Sequence, residues 1–291
     1  MKKIDVHAHS SMWAGLRIDN NIYFGSLEEI KKRYIELGIE KGFIMTMVSP
    51  ECRMFMQSNE EIEHIVSKFP DDFYWFCNVD PRMVGNTKES DLSKILLSCK
   101  ERGAKGIGEV SANLYFDDPL MENLFYHAGE CDMPVTVHLA PKVGGYYGIV
   151  DDLGLPRLKK ILKKYPKLKI LGHSQCFWSE IGDNVNEENR GGYVKGKVNE
   201  GAVVRLLREC PNLYCDLSAG SGYNALARDE EFAYRFIEEF GDRLLFGTDI
   251  CKYEQEILLP EWLDKSYEAG CISEENYFNI CRGNAIKLFN L

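Results

Sequence analysis

The chain has 291 residues, with 35 basic and 45 acidic side chains giving a formal charge of −10, and it is 45% apolar and 27% charged. That composition excludes a disordered chain, and the length is too great for one ordinary sandwich or bundle but suits a single α/β barrel. The negative charge disfavours nucleic acid and anionic membrane surfaces as partners, since both select basic patches, and leaves small molecules as the expected ones.

Taken from the N-terminus, Met1-Lys2-Lys3 runs straight into the apolar segment Ile4–His9, with no signal-peptide core before it. Short β-rich runs then recur at Gly42–Val48, Phe73–Val79, Ala104–Val110, Pro134–Leu139, Leu168–His173, Asn212–Leu217 and Leu244–Asp249. Most are continuous apolar stretches, the pattern of parallel strands covered on both faces. Between them lie helix signals. Ser26 with Glu29 and Ser58 with Glu61 form capping boxes, Ser90-Asp91, Asp118-Pro119 and Asp151-Asp152 are further starts, and Gly38, Gly103, Pro166 and Gly241 are stops.

Eight such alternations predict an α/β fold, a closed (β/α)₈ TIM barrel forming one domain over residues 1–291. An open doubly wound sheet would place a glycine fingerprint after the first strand, where this chain has His7-Ala8-His9. The stretch from Ser174 to Gly201, rich in Gly, Asn and Glu, reads as a long loop on the active-site face. No run approaches the ~20 apolar residues of a membrane span, and the 10 cysteines contain no C-x-x-C pair. A reduced, cytoplasmic protein is expected, and a homo-oligomer is compatible with it.

The ionisable residues fall at the carboxyl ends of the predicted strands: His7 and His9 on the first, Glu109 on the fourth, His138 on the fifth, His173 on the sixth and Asp249 on the eighth. In a barrel these ends converge on one mouth, and imidazole with carboxylate is the donor set of zinc and related divalent metals. An H-x-H on a strand sends both imidazoles to one face. The remaining histidines, His64 and His127, sit in predicted helices and are read as structural.

The order H-x-H, Glu, His, His, Asp resembles the amidohydrolase superfamily of metal-dependent hydrolases. The segments IDVHAH, MPVTVHL, ILGHSQ, PNLYCDLSA, LLFGTD and GNAIKLF resemble its amidohydrolase-related branch, which includes aminocarboxymuconate-semialdehyde decarboxylase and other decarboxylases as well as hydrolases. The resemblance implies a mononuclear site of His7, His9, His138 and Asp249, whereas Glu109 is similar to the bridging carboxylate of binuclear members. One or two divalent ions are therefore expected, Zn²⁺ first and Mn²⁺ as an alternative.

An ion so held lowers the pKa of a water toward ~7. Asp249 is the expected proton shuttle, and His173 either completes a second metal site with His138 and Glu109 or polarises the substrate oxygen. Substrate contacts are sought in the loops that follow the strands: Trp13 and Arg17, Arg53, Asn113 and Tyr115, Lys142, Tyr146 and Tyr147, Phe177 and Trp178.

The expected function is hydrolysis of a small amide, lactone or ester by a metal-activated water. The alternative is metal-dependent, non-oxidative decarboxylation of an aromatic or unsaturated carboxylic acid. A TatD-type nuclease is disfavoured by the −10 charge, and a non-catalytic metal-binding protein would need a closed coordination sphere.

Overall fold

The computed structural model describes residues 1–13, 15–17, 23–51 and 56–291. Its main strands are β1 (Lys3–Ala8), β2 (Ile39–Ile44), β3 (Phe73–Trp75), β4 (Ile107–Val110), β5 (Val135–Ala140), β6 (Ile170–His173), β7 (Leu213–Asp216) and β8 (Leu244–Leu245). Each corresponds to one of the predicted runs. β2 starts three residues before the predicted Gly42 because Gly38, at φ 69° in the left-handed region, ends the preceding helix and passes the chain directly into pairing with Lys3. β8 is only two residues long, since the chain turns out of the sheet before Asp249, whose own φ is 55°.

All neighbouring pairs among these strands are parallel. They form two ladders, β1-β2-β3 and β4-β5-β6-β7-β8. Isolated contacts join them at two seams. Cys77 bridges Ile107, with Gly108 N–H donating to the Cys77 carbonyl at 2.8 Å, and Ala8 bridges Ile250, with Val6 N–H donating to the Phe246 carbonyl at 3.0 Å. The order is therefore cyclic, that of a TIM barrel.

Helices cover the outside for the reasons the sequence suggests. Helix Leu27–Leu37 has the complete Ser26/Glu29 capping box, and Pro119–Glu130 starts with an Asp118 cap and Pro119 in its first turn. The box predicted at Ser58 is only half formed. Ser58 caps Asn59–Val66, but the Glu61 carboxylate accepts instead from Ser11 Oγ and Met12 N–H in the loop after β1. A tertiary partner has taken the side chain that local pairing would have used.

The core has two main layers. A large one lies between strands and helices, and a smaller one fills the barrel interior with Ile4, Val6, Phe43, Met45, Phe76, Leu171 and Leu245, closed at the bottom by Leu288 and Phe289 of the C-terminal helix Asn284–Phe289. The inner layer occupies the lower barrel, so the polar side chains that follow these residues are carried to the upper rim. The described cysteines form no disulfide, and among the described residues no helix is long and apolar enough to cross a membrane.

Candidate metal centre

β1 does not alternate regularly. Its pairing shifts between Asp5 and Ala8, where Asp5 Oδ1 accepts His7 N–H at 3.0 Å. Ile4 and Val6 belong to the inner layer, while Asp5 turns to Tyr34 on the neighbouring helix. The irregularity restarts the alternation so that His7 and His9, which the strand period already sets on one face, turn toward the mouth above Val6. Asp5 also accepts from Thr248 N–H at 2.9 Å and from Thr248 Oγ1 at 2.5 Å, which ties β1 to the turn that bears Asp249. Asp249 N–H in turn donates to the His7 carbonyl at 2.8 Å.

The six residues expected at the mouth meet there. His7 Nε2 lies 3.1 Å from His9 Nε2, and Asp249 Oδ1 lies 3.7 Å and 3.3 Å from those two nitrogens. On the other side, Glu109 Oε1 lies 2.8 Å from His138 Nδ1 and 3.5 Å from His173 Nε2. His138 and His173 are register partners on β5 and β6, which is why they arrive side by side. Glu109 Oε1 is 3.9 Å from His7 Nε2, so the two donor groups are contiguous.

The spacing fits a cation. Two ligand atoms each about 2.0–2.1 Å from a tetrahedral zinc stand about 3.3 Å apart. The groups His7–His9–Asp249 and Glu109–His138–His173 each present three donor atoms within 4.8 Å of one another. The donor set, imidazoles with carboxylates, is suited to zinc or manganese. Among the described residues, His9 Nδ1 is buried without a hydrogen-bond partner.

Electrostatics follow from burial. Burial alone would lower the His7 pKa, but the Asp216 carboxylate, with Asp249 and Glu109 beyond it, raises it to about 10. His173, buried and beside His7, is pushed down to about 4. Burial opposes ionisation of Glu109, yet His138, His7 and His173 together hold it well below the usual carboxylate range. Asp249 is likewise lowered, its burial outweighed by His9 and His7. Glu109 and Asp249 thus stay ionised, beside a His7 that holds its proton and a His173 that releases its own.

Above it opens a cleft of about 940 Å³. Its walls include Phe24, Met47, Lys142, Tyr146, Tyr147, Tyr193 and Val194, with His9, Glu109, His138 and Asp249 at the bottom. The segment after β6 supplies one side through Glu187, Glu188, Asn189 and Gly191–Val194, as its predicted position on this face implies. Phe24 also stacks on His9 at 5.5 Å, giving that imidazole an apolar backing.

The proposed substrate contacts divide. Tyr146 lines the cleft, as do Lys142 and Tyr147. Asn113 does not: it is buried, its Nδ2 donating to the carbonyls of Lys142 and Gly148 while its Oδ1 accepts from Gly144 N–H, so it braces the loop that carries Lys142, Tyr146 and Tyr147. Trp178 is also corrected to a core position, since its ring is buried and its Nε1–H donates to the Asp216 carbonyl at 2.9 Å. Phe177 is buried against Gly172, where any Cβ would come within 2.3 Å of its ring.

Trp13 is 65% exposed and forms no wall of the cleft, and Tyr115 packs outside it under the Arg157 guanidinium. Arg17 pairs through its backbone with Tyr23 in a short antiparallel ladder, and Arg53 lies outside the described residues.

Sequence reasoning missed Asp216 and Ser218, at the end of β7. Asp216 Oδ2 accepts from His7 Nδ1 at 2.6 Å, and Ser218 Oγ lies 2.9 Å from His173 Nδ1. Both fall in the segment PNLYCDLSA, and Asp216 satisfies the same strand-end criterion as the other six. It also missed the contact of Tyr147 OH with Glu109 Oε2.

Residues 4–291 match the amidohydrolase family model, and the chain belongs to that family. A search of curated protein sequences returns no match. Among solved structures, the chain is similar to an uncharacterized TIM-barrel protein from Bordetella bronchiseptica (17% identity, TM-score 0.68, covering 100% of this chain and 99% of that one). It is also similar to a putative 2-pyrone-4,6-dicarboxylic acid hydrolase from Pseudomonas putida (16%, TM-score 0.62, 99% and 97%). A third is a dihydroxybenzoic acid decarboxylase from Polaromonas, solved with bound manganese and the inhibitor 2-nitroresorcinol (18%, TM-score 0.56, 100% and 97%). These likenesses establish the TIM-barrel fold.

Proposed function

We propose that this amidohydrolase-family chain is a metal-dependent hydrolase of a small amide, lactone or ester. The observation that carries this reading is the pair of donor triads, His7–His9–Asp249 and Glu109–His138–His173, contiguous at the floor of an open cleft. A divalent ion held there, Zn²⁺ in the first instance, supplies the positive charge that makes a water acidic and polarises a substrate oxygen.

The residues divide the remaining work. The Asp249 side chain is 28% exposed and that of His138 21%, against 0–5% for His7, His9, Glu109 and His173, so Asp249 is the cluster carboxylate that faces the cleft. Ionised at neutral pH, its carboxylate takes a proton from the attacking water and returns it to the leaving group. His173, with a pKa of about 4, is a neutral imidazole at pH 7 and offers a lone pair. Tyr147 and His138 hold the two oxygens of Glu109 and so fix the plane of that carboxylate. Phe24, Tyr146 and Tyr193 supply flat walls that suit a planar substrate and exclude water from it.

The same walls, together with the Lys142 ammonium, support a second reading, decarboxylation of an aromatic or unsaturated acid whose carboxylate is attracted to Lys142. The Polaromonas decarboxylase and the Pseudomonas hydrolase named above make both reactions compatible with this architecture.

The test is metal analysis of protein purified without chelators, followed by product analysis on ester, lactone, amide and aromatic-acid panels. Release of a hydrolysed acid supports the first reading, and release of CO₂ the second. Glu109→Gln refines it: loss of one metal equivalent marks a two-ion site, whereas a retained single ion with a ~10–100-fold loss of activity marks a supporting role. Protein that neither retains nor takes up a divalent ion would refute both readings.

A further inference from the structure

Two side chains at the end of β7 touch the rear of the cluster, away from the cleft. Asp216 is fully buried, and its two oxygens are both engaged: Oδ2 with His7 Nδ1 at 2.6 Å and Oδ1 with Ser218 N–H at 2.9 Å. The Ser218 hydroxyl stands between the rear nitrogens of two histidines, 2.9 Å from His173 Nδ1 and 3.3 Å from His7 Nδ1. The histidine atoms turned toward the cluster are then the Nε2 atoms. An imidazole that donates its Nδ1 proton to an acceptor keeps a lone pair on Nε2, and only that tautomer binds a cation there.

Local structure shows that these contacts override ordinary preferences. Ser218 occupies the N-cap of helix Ala219–Ala227, where a serine hydroxyl usually accepts from the helix's first free N–H groups, yet it makes no such bond. Ala219, which follows it, has φ 61°, a left-handed conformation that alanine rarely adopts. On β8's extension, a Cβ at Gly247 would lie 2.6 Å from Asp216 Oδ1, 2.8 Å from Ser218 Cβ and 3.5 Å from His7 Cβ. The glycine of Phe246-Gly247-Thr248-Asp249 is thus the space the network occupies. Trp178 completes the support by donating to the Asp216 carbonyl.

We infer that Asp216 and Ser218 are positioning residues for the metal centre: by engaging the Nδ1 atoms of His7 and His173 they fix the orientation of each ring and the tautomer it adopts when neutral, with both Nε2 atoms facing the site. Because Ser218 touches one histidine from each donor triad, it also links the two. This rests on the reading of the cluster as a metal site.

The experiment measures Zn²⁺ affinity of metal-free protein by competition with a chromophoric chelator, alongside thermal unfolding in excess chelator. Asp216→Ala should weaken Zn²⁺ binding by roughly 100-fold and Asp216→Asn by roughly 10-fold, since the amide retains one acceptor oxygen. Ser218→Ala and Gly247→Ala should each weaken it by roughly 10-fold. Asp151→Ala, which strands the N–H groups of Arg157 and Leu158 outside the cluster, controls for stability loss and should leave Zn²⁺ affinity unchanged.

Wild-type affinity in Asp216→Asn and Ser218→Ala, both folded by circular dichroism, would overturn the inference while leaving the metal centre standing. An equal loss in Asp151→Ala would reduce the effect to general destabilisation and overturn it too. Absence of Zn²⁺ binding by the wild-type protein, or full binding by a His7→Ala/His9→Ala double variant, would instead overturn the metal reading itself.

Discussion

Replacing Asp5 by asparagine should make the protein more stable near neutral pH and remove part of its pH dependence. The Asp5 carboxylate is buried and accepts from His7 N–H, Thr248 N–H, Thr248 Oγ1 and Tyr34 OH. Burial nevertheless prevails over those bonds and raises its pKa from 3.8 to about 6. A folded-state pKa above the unfolded one means that ionisation opposes folding. The contribution of Asp5 is therefore most favourable below pH 3.8 and declines as the pH rises through about 6. A shift of about 2 units corresponds to about 3 kcal/mol.

Asparagine does not titrate. Its Oδ1 can retain the two amide donors, and its NH₂ can donate to the Thr248 and Tyr34 hydroxyls, which rotate to accept. The stability of Asp5→Asn minus that of wild type should thus rise by roughly 2–3 kcal/mol between pH 4 and pH 7.5. The assay is urea denaturation of metal-free protein at several pH values in that range. A difference that stays constant across it would refute the reasoning, because it would mean that burial does not penalise the charge. Asp5→Ala should be severely destabilising at every pH, since it strands two buried backbone N–H groups at about 1–3 kcal/mol each.

Asp249→Asn should retain bound metal but lower kcat by at least ~10²-fold, read by steady-state kinetics with metal analysis, as expected for loss of the proton acceptor at the cleft. The His7 pKa of about 10 implies that a proton must leave before an ion binds, so metal affinity measured by chelator competition should increase with pH from 6 to 9. In the metal-free protein the same group has its folded pKa raised from 6.5, so its stabilising contribution is full below pH 6.5 and is lost as the pH approaches about 10, which alkaline unfolding curves will show. Asn113→Ala frees the Lys142–Gly148 loop, and KM should rise roughly 3–10-fold, the equivalent of one hydrogen bond, with a smaller change in kcat.

The barrel was legible because parallel strands buried on both faces must be apolar throughout and because capping residues mark where helices such as Leu27–Leu37 and Pro119–Glu130 start. The six residues at the mouth were legible because strand ends in a barrel share one face, so H-x-H, Glu109, His138, His173 and Asp249 could be placed together without knowing a single distance. Asn113 and Trp178 were misplaced because loop position indicates only nearness to the site. Whether a side chain turns into the cleft or beneath it depends on which backbone groups need a partner, and here the Gly148 and Asp216 carbonyls did. Glu61 left its capping box for the same reason.

By itself, then, the sequence determined what depends on local pattern and chain order: eight strand–helix units, the elements that begin with Ser26 and Asp118, and the donor types that reach the rim. Only the tertiary structure decided what depends on contacts between distant segments. The displaced register at Asp5 is held by Thr248, 243 positions away, and it turns His7 and His9, which the strand period already sets on one face, toward the mouth above Val6. The pairing of His7 with Asp216 joins β1 to β7 across 209 positions, and the hydroxyl of Ser218 reaches His173 across 45. No periodicity encodes such pairs, because each is set by the closure of the barrel, which determines which strand ends face one another and which side chains find no water there.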